Sequence, residues 1–106
     1  MINMVKLHAE EEIINISTFF SALSSPTRLK ILLTIMETKR PLHIKAVAKI
    51  LKLDYAAIYR HVGILNRTNL LKIYEVGRSR VLSLLHEDLI AKFIHQAKEA
   101  TNKLAI

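Results

Sequence analysis

Leu53-Asp54-Tyr55-Ala56-Ala57-Ile58-Tyr59-Arg60-His61-Val62-Gly63-Ile64-Leu65-Asn66-Arg67 is the stretch whose reading decides the fold. Asp54 is placed to cap a helix, since a carboxylate there can accept from the free N–H groups two or three residues on. Ile58, Val62 and Leu65 recur at i, i+4 and i+7, which makes one narrow face apolar. Half a turn away lie Ala56, Arg60, Gly63 and Arg67, with Tyr59 on the shoulder. That outward face combines small residues, two arginines and a phenol, and no carboxylate follows the cap. A solvated helix face ordinarily mixes Glu with Lys at i, i+4 spacing. This composition instead suits a flat, negatively charged surface, so residues 54–67 are expected to form a helix that enters the DNA major groove. Amphipathic helices with two arginines that bind nothing are common, and the rest of the chain has to decide between the two.

Just upstream, Ile44, Val47, Ala48 and Leu51 predict another amphipathic helix, with Lys45, Lys49 and Lys52 along its other side. Those lysines suit a solvated face, and their spacing also suits a helix crossing a phosphate backbone. The connection Lys52-Leu53-Asp54 is very short. Two helices joined so tightly, both with basic outer faces, read as a helix-turn-helix. Farther back, Ser24-Ser25-Pro26-Thr27 is a break and restart, with Ser25 as N-cap and Pro26 at the first helical position. Leu29, Leu32, Leu33 and Met36 then predict a largely buried helix with Arg28 on its first turn, ended by the basic loop Thr38-Lys39-Arg40-Pro41. Glu10-Glu11-Glu12 open a helix over 10–23 with acids at the positive end of its dipole. Its stripe of Ile13, Ile16, Phe20 and Leu23 is widened by Ile14 and Phe19, while residues 1–9 show no period and read as a loose end.

Downstream, Thr68-Asn69 ends the 54–67 helix, Asn being tolerant of the left-handed backbone. Two β-rich runs about the turn Gly77-Arg78-Ser79 read as a hairpin over 72–84 that exposes Arg78 and Arg80. An arginine-tipped wing can lie along a phosphate backbone or in a narrow minor groove. A last helix over 87–104, opened by His86-Glu87-Asp88, carries Leu89, Phe93, Ala97, Ala100 and Leu104 down one face, with Ile90, Ile94 and Thr101 beside them. That is more apolar surface than one flank of a small core needs. Ile14 and Phe19, together with the last-helix face, are therefore expected to pair two chains as a homodimer.

The totals agree with a single domain spanning 1–106, since 106 residues allow one core and not two. The net charge is +7, and its distribution is informative: residues 28–80 hold twelve Lys or Arg against three acids, a local +9, while the flanks together carry −2. Such a concentration favours a polyanionic partner, double-stranded DNA above all. There are no cysteines, which excludes disulfides and thiolate metal sites. No apolar run approaches the roughly 20 residues that span a membrane. The start shows no signal-peptide pattern, so the expected location is cytoplasmic. No nucleophile with a nearby base, phosphate-binding loop or apolar carboxylate pair is legible, so neither enzymatic activity nor a cofactor is expected.

The order helix, helix, helix, recognition helix, hairpin, helix is a mostly α chain with a small β-hairpin wing, the winged helix-turn-helix. Phe20-Ser21-Ala22-Leu23-Ser24-Ser25-Pro26-Thr27-Arg28-Leu29-Lys30-Ile31-Leu32 resembles the "LxDPTRLxIL" opening of the ArsR-type repressors. Ile58-Tyr59-Arg60-His61-Val62-Gly63-Ile64-Leu65 is similar to their "vSrHLkvL" recognition helix, and Leu70-Leu71 with Gly77-Arg78 to their "GLV…GR" wing. The resemblance covers roughly residues 13–100. It implies a dimeric repressor built on the first and last helices, with Tyr55, Ala56, Tyr59 and Arg60 at base- or phosphate-facing positions and Arg78 as the wing arginine. His61 matches the family histidine, taken as a packing and hydrogen-bonding residue. Arg67, Lys45, Lys49 and Arg80 are placed for phosphates. Gly63 departs from a family lysine, which removes one phosphate contact.

Many of these proteins sense metals, and there the chain departs. The positions of the family's cysteine pair are His43 and Lys45, and the last-helix ligands reduce to His86, His95 and Glu99. That set falls short of the four ligands zinc ordinarily takes, and no metal is expected. Two alternatives stay open: a winged-helix module for protein–protein assembly, and a MarR-like regulator answering to a small molecule between its helices.

Overall fold

The hydroxyl of Ser25 fixes where the second helix begins. It accepts from the Arg28 backbone N–H at 3.2 Å, with Pro26 at the first helical position, as the sequence predicts. The computed structural model describes residues 9–106, so the expected loose end lies, apart from Ala9, outside the described residues. The elements are α1 (Glu10–Leu23), α2 (Pro26–Thr38), β1 (Leu42–His43), α3 (Ile44–Leu51), α4 (Tyr55–Arg67), β2 (Leu71–Val76), β3 (Ser79–Leu84) and α5 (Glu87–Lys103). None of these helices is long and apolar enough to cross a membrane.

The turn between α3 and α4 is tight because Lys52 takes a left-handed backbone, φ 57° and ψ 45°. Its N–H bonds Lys49 O at 3.3 Å, and the Leu53 N–H reaches back to Ala48 O at 3.0 Å. Such paired closure reverses the chain within three residues. A side chain in this conformation costs about 1–2 kcal/mol, a strain glycine would avoid. Asp54 has the extended backbone of an N-cap, φ −62° and ψ 142°, yet its side chain makes no capping hydrogen bond. The expected carboxylate cap is thus not formed. Ile58 N–H to Asp54 O, at 3.1 Å, closes the first turn through backbone alone, and the exposed carboxylate is left to solvent.

β2 and β3 pair antiparallel from Leu71↔Leu84 to Val76↔Ser79. Gly77 alone in the two-residue turn has positive φ, 61°, the pattern of a type II′ hairpin with glycine first. The sheet has a third strand that the sequence did not announce. β1 adds to the other edge of β3 with Leu42 opposite Leu82, and two residues are too few to show an alternation.

Ile58, Val62 and Leu65 are fully buried, so the apolar face of α4 is the one its spacing predicts. They meet Ile44 and Val47 of α3, Leu71 and Leu82 of the sheet, and Ile31, Leu32 and Ile35 of α2. On α2 the phase differs from the expected Leu29-Leu32-Leu33-Met36 stripe. The helix turns Ile31 and Ile35 beside Leu32 toward α4 and β3, which leaves Leu29, Leu33 and Met36 half-buried on its shoulder. α1 and α5 contribute only Ala22 and Ile90 to the core. The radius of gyration, 16.0 Å, exceeds the roughly 13 Å of a compact domain of 100 residues. Beyond Ala22 and Ile90, both helices are half-buried at Phe19, Leu23 and Ile94 and exposed elsewhere.

Candidate nucleic-acid interface

The starts of α3 and α4 and the wing β2–β3 converge on one side. A cleft of about 390 Å³ between them is lined by His43, Lys45, Tyr55, Arg78 and Arg80, among others. Lys49 lies exposed one turn beyond Lys45 on α3, while Tyr55, Ala56, Tyr59, Arg60 and Arg67 are exposed on α4. Three elements separated in sequence thus meet here, with Lys45 of α3 beside Arg78 and Arg80 of the wing, while Arg60 and Arg67 line a neighbouring cleft with Tyr59 and Ile73. Among the described residues, no hydrogen bond or ion pair engages the side chains of Lys45, Lys49, Arg60, Arg67 or Arg78. Their positive charge is free to face a ligand.

Arg80 is different. The sequence pattern predicts it beside Arg78 at the exposed turn, whereas in the structure it lies on β3 directly across from Glu75. Its Nε donates to Glu75 Oε1 at 3.3 Å, and its guanidinium lies 4.7 Å from the Tyr59 ring centre. Tyr59 in turn stacks on Tyr55, with centroids 6.2 Å apart and planes 12° from parallel. Tyr55 first, and then Glu75 and Tyr59, hold the Arg80 pKa above the ordinary arginine value. Arg80 therefore ties the wing to the start of α4.

His61 turns the other way, toward α2. Arg28 Nη1 sits 3.1 Å from His61 Nδ1, while Arg28 Nε donates to Ala22 O at 2.6 Å and Nη2 to Ser21 O at 3.0 Å. A guanidinium only donates, so His61 Nδ1 must accept and the imidazole is neutral with its proton on Nε2. Burial, then Arg28 and Arg60, push the His61 pKa below its usual value. This joint between the end of α1, the start of α2 and the middle of α4 escaped the sequence reading, because no spacing rule links residues 28 and 61. Gly63 sits beside it on α4, where an added Cβ would meet only Arg67 Nη1, at 3.5 Å.

At the far side, Ile14 is 57% exposed, Leu89 51% and Leu104 69%, and Ala97 and Ala100 are exposed as well. Phe19 is half-buried, because its ring meets Phe93 edge-on at 4.8 Å and pins α1 to α5 within the chain. A mostly apolar cavity of about 160 Å³ lies beneath this contact, lined by Leu23, Leu70, Leu89 and Ile94, with Thr68, Asn69 and His86 at its polar end. His95 Nε2 and Glu99 Oε1 are 3.1 Å apart on exposed side chains. Among the described residues, no three His, Asp or Glu come close enough to hold a metal ion.

A helix-turn-helix on a three-stranded sheet, with the β2–β3 hairpin carried past it as a wing, defines the winged helix-turn-helix. Comparison with solved structures agrees. NolR from Sinorhizobium fredii is 26% identical, with a TM-score of 0.73 over 85% of this chain and 87% of that one. A homodimeric winged helix-turn-helix DNA-binding domain from Mycobacterium bovis, described as a possible ArsR-family transcriptional regulator, is 14% identical, with a TM-score of 0.73 over 91% of this chain and 89% of that one. Reduced HlyU from Vibrio cholerae is 18% identical, with a TM-score of 0.69 over 83% and 93%. No protein-family model and no curated protein matches the chain. The chain has the fold of the ArsR-type winged helix-turn-helix regulators.

Proposed function

We propose that this chain is a homodimeric, sequence-specific DNA-binding transcriptional repressor of the ArsR type, without enzymatic activity and without a metal effector. The observation that carries it is that the starts of α3 and α4 meet the wing at one cleft, with the uncommitted cations Lys45 and Arg78 on its walls and Arg60 and Arg67 exposed along the helix that a three-residue turn delivers there. In that arrangement the start of α4 enters the major groove, and Arg60 meets a base edge or a phosphate. Lys45, Lys49 and Arg67 sit over the backbone, and Arg78 reaches the flanking phosphates or minor groove. The exposed apolar faces of α1 and α5 supply the dyad, which sets the two recognition helices about 34 Å apart. Homodimerism is also reported for the Mycobacterium bovis domain of like fold.

Fluorescence anisotropy on a labelled random-sequence duplex across a salt series tests the reading. Affinity should fall steeply with salt, by roughly 0.9 slope units per phosphate neutralised. Changing Arg67 and Arg78 to Ala should flatten that slope by about two units. Salt-independent binding, or none, would transfer the surface to the protein-assembly alternative. A small-molecule response of the MarR kind has one observation in its favour, the apolar cavity between α1 and α5. At about 160 Å³ it would admit a ligand of benzene size.

A further inference from the structure

The groove-facing end of α4 has few hydrogen-bonding side chains, and that scarcity narrows what it can read. On its first two turns the exposed residues are Tyr55, Ala56, Tyr59 and Arg60. No carboxamide is among them. The helix's one carboxamide, Asn66, stands about 15 Å farther along the axis than Ala56. Asp54, exposed just ahead of the helix, accepts but cannot donate. A bidentate pair with adenine N6 and N7, which takes Asn or Gln, therefore has no partner at this end.

What the end presents is apolar surface held in place. The Ala56 methyl is exposed, and the stacked rings of Tyr55 and Tyr59 are 38% and 42% exposed. These rings are braced from the wing by Arg80, which is itself tied to Glu75. In the major groove the feature that apolar surface distinguishes is the thymine C5-methyl, since the other bases offer polar atoms or a bare C–H there. Arg60 supplies the donor fork for guanine O6 and N7. Ala56 and Arg60, at i and i+4, lie about 6 Å apart on one face, less than two base-pair rises of about 3.4 Å.

The geometry points to an operator half-site in which a thymine, read through its methyl group by Ala56 and the Tyr55–Tyr59 ledge, lies within two base pairs of a guanine read by Arg60. This rests on α4 entering the major groove as proposed above, and the two readings fail differently. The full chain is first used to select sites from a random duplex library. The recovered duplex is then remade with deoxyuridine in place of each thymidine in turn, which deletes the methyl and leaves every hydrogen-bonding group. One or two positions in each half-site should lose about fourfold in affinity per methyl, the worth of one buried methyl group. The other thymines should be indifferent. In Ala56→Gly or Tyr59→Ser the deoxyuridine penalty should shrink below twofold. A recovered site whose thymines all tolerate deoxyuridine, or a penalty unchanged in both variants, would overturn the thymine reading and leave DNA binding standing. Failure to recover any site would instead remove the sequence-specific reading on which it rests.

Discussion

Replacing Arg28 with Leu is the most searching test of how α4 is held. The guanidinium makes three contacts at once, to Ala22 O at 2.6 Å, Ser21 O at 3.0 Å and His61 Nδ1 at 3.1 Å. A hydrogen bond from a charged donor contributes roughly 1.5–3 kcal/mol. Only the Ala22 and His61 bonds are part-buried, and the one to Ser21 is open to water and worth little. Two bonds near the low end give an expected loss of about 3 kcal/mol. Arg28→Lys keeps the charge but cannot fork to three acceptors, and should recover about 1 kcal/mol of it. Urea unfolding at one fixed protein concentration measures both, since a dimer's stability depends on concentration. The same joint has a pH signature. The folded His61 pKa lies below the unfolded value of 6.5, so the folded state binds fewer protons. Its stabilisation is complete above pH 6.5 and is lost as pH falls through the folded pKa. His61→Leu should remove that part of the acid slope, and Arg28→Leu should lessen it. An Arg28→Leu change within 0.5 kcal/mol of the parent, about the scatter of ordinary surface substitutions, would refute the joint.

Gly63→Ala should stabilise the chain by about 1 kcal/mol in the same urea assay, because helical glycine carries that cost and the new Cβ meets only the end of Arg67. Lys52→Gly should add roughly 0.5–1 kcal/mol by relieving the left-handed turn, and a destabilised variant would show that the lysine side chain matters more than its backbone. Leu104→Glu, or Ile14→Glu, should shift sedimentation from dimer to monomer with the helical circular dichroism intact, since neither side chain is buried within the chain; a parent chain already monomeric at micromolar concentration would contradict the proposed assembly. Stoichiometric zinc should change DNA affinity less than twofold, whereas the coupling in a true sensor is typically about 1–3 kcal/mol. A tenfold loss reversed by chelator would restore His95 and Glu99 to consideration.

The parts of this fold that the sequence discloses are those governed by near neighbours. The apolar face of α4 follows from a 3.6-residue period, the start of α2 from Ser25 and Pro26, and the left-handed Asn69, φ 61°, from its side chain's tolerance for that backbone. What stays hidden depends on partners brought from afar. β1 exists because β3 has an edge to fill, Arg80 turns inward because Glu75 and Tyr59 meet it there, and Arg28 finds His61 only after α2 and α4 cross. Asp54 shows the limit from the other side: a residue of the right type at the right position still leaves its capping bond unmade.

Two of these long-range contacts fall two residues apart on α4. Tyr59 is gripped from the wing by Arg80, and His61 from α2 by Arg28, so the helix is held on two sides at one level. Between them stands Arg60, exposed and without a partner among the described residues. An arginine that must pair with a base edge gains specificity when the helix beneath it cannot roll, because mispairing then costs contacts elsewhere instead of being absorbed by a small rotation. Loosening either grip should therefore erode discrimination between bases before it erodes affinity for DNA as such. Arg28→Leu, assayed on a recovered operator against a scrambled duplex below the temperature at which it unfolds, should narrow the ratio of the two affinities while leaving the salt slope on the scrambled duplex unchanged.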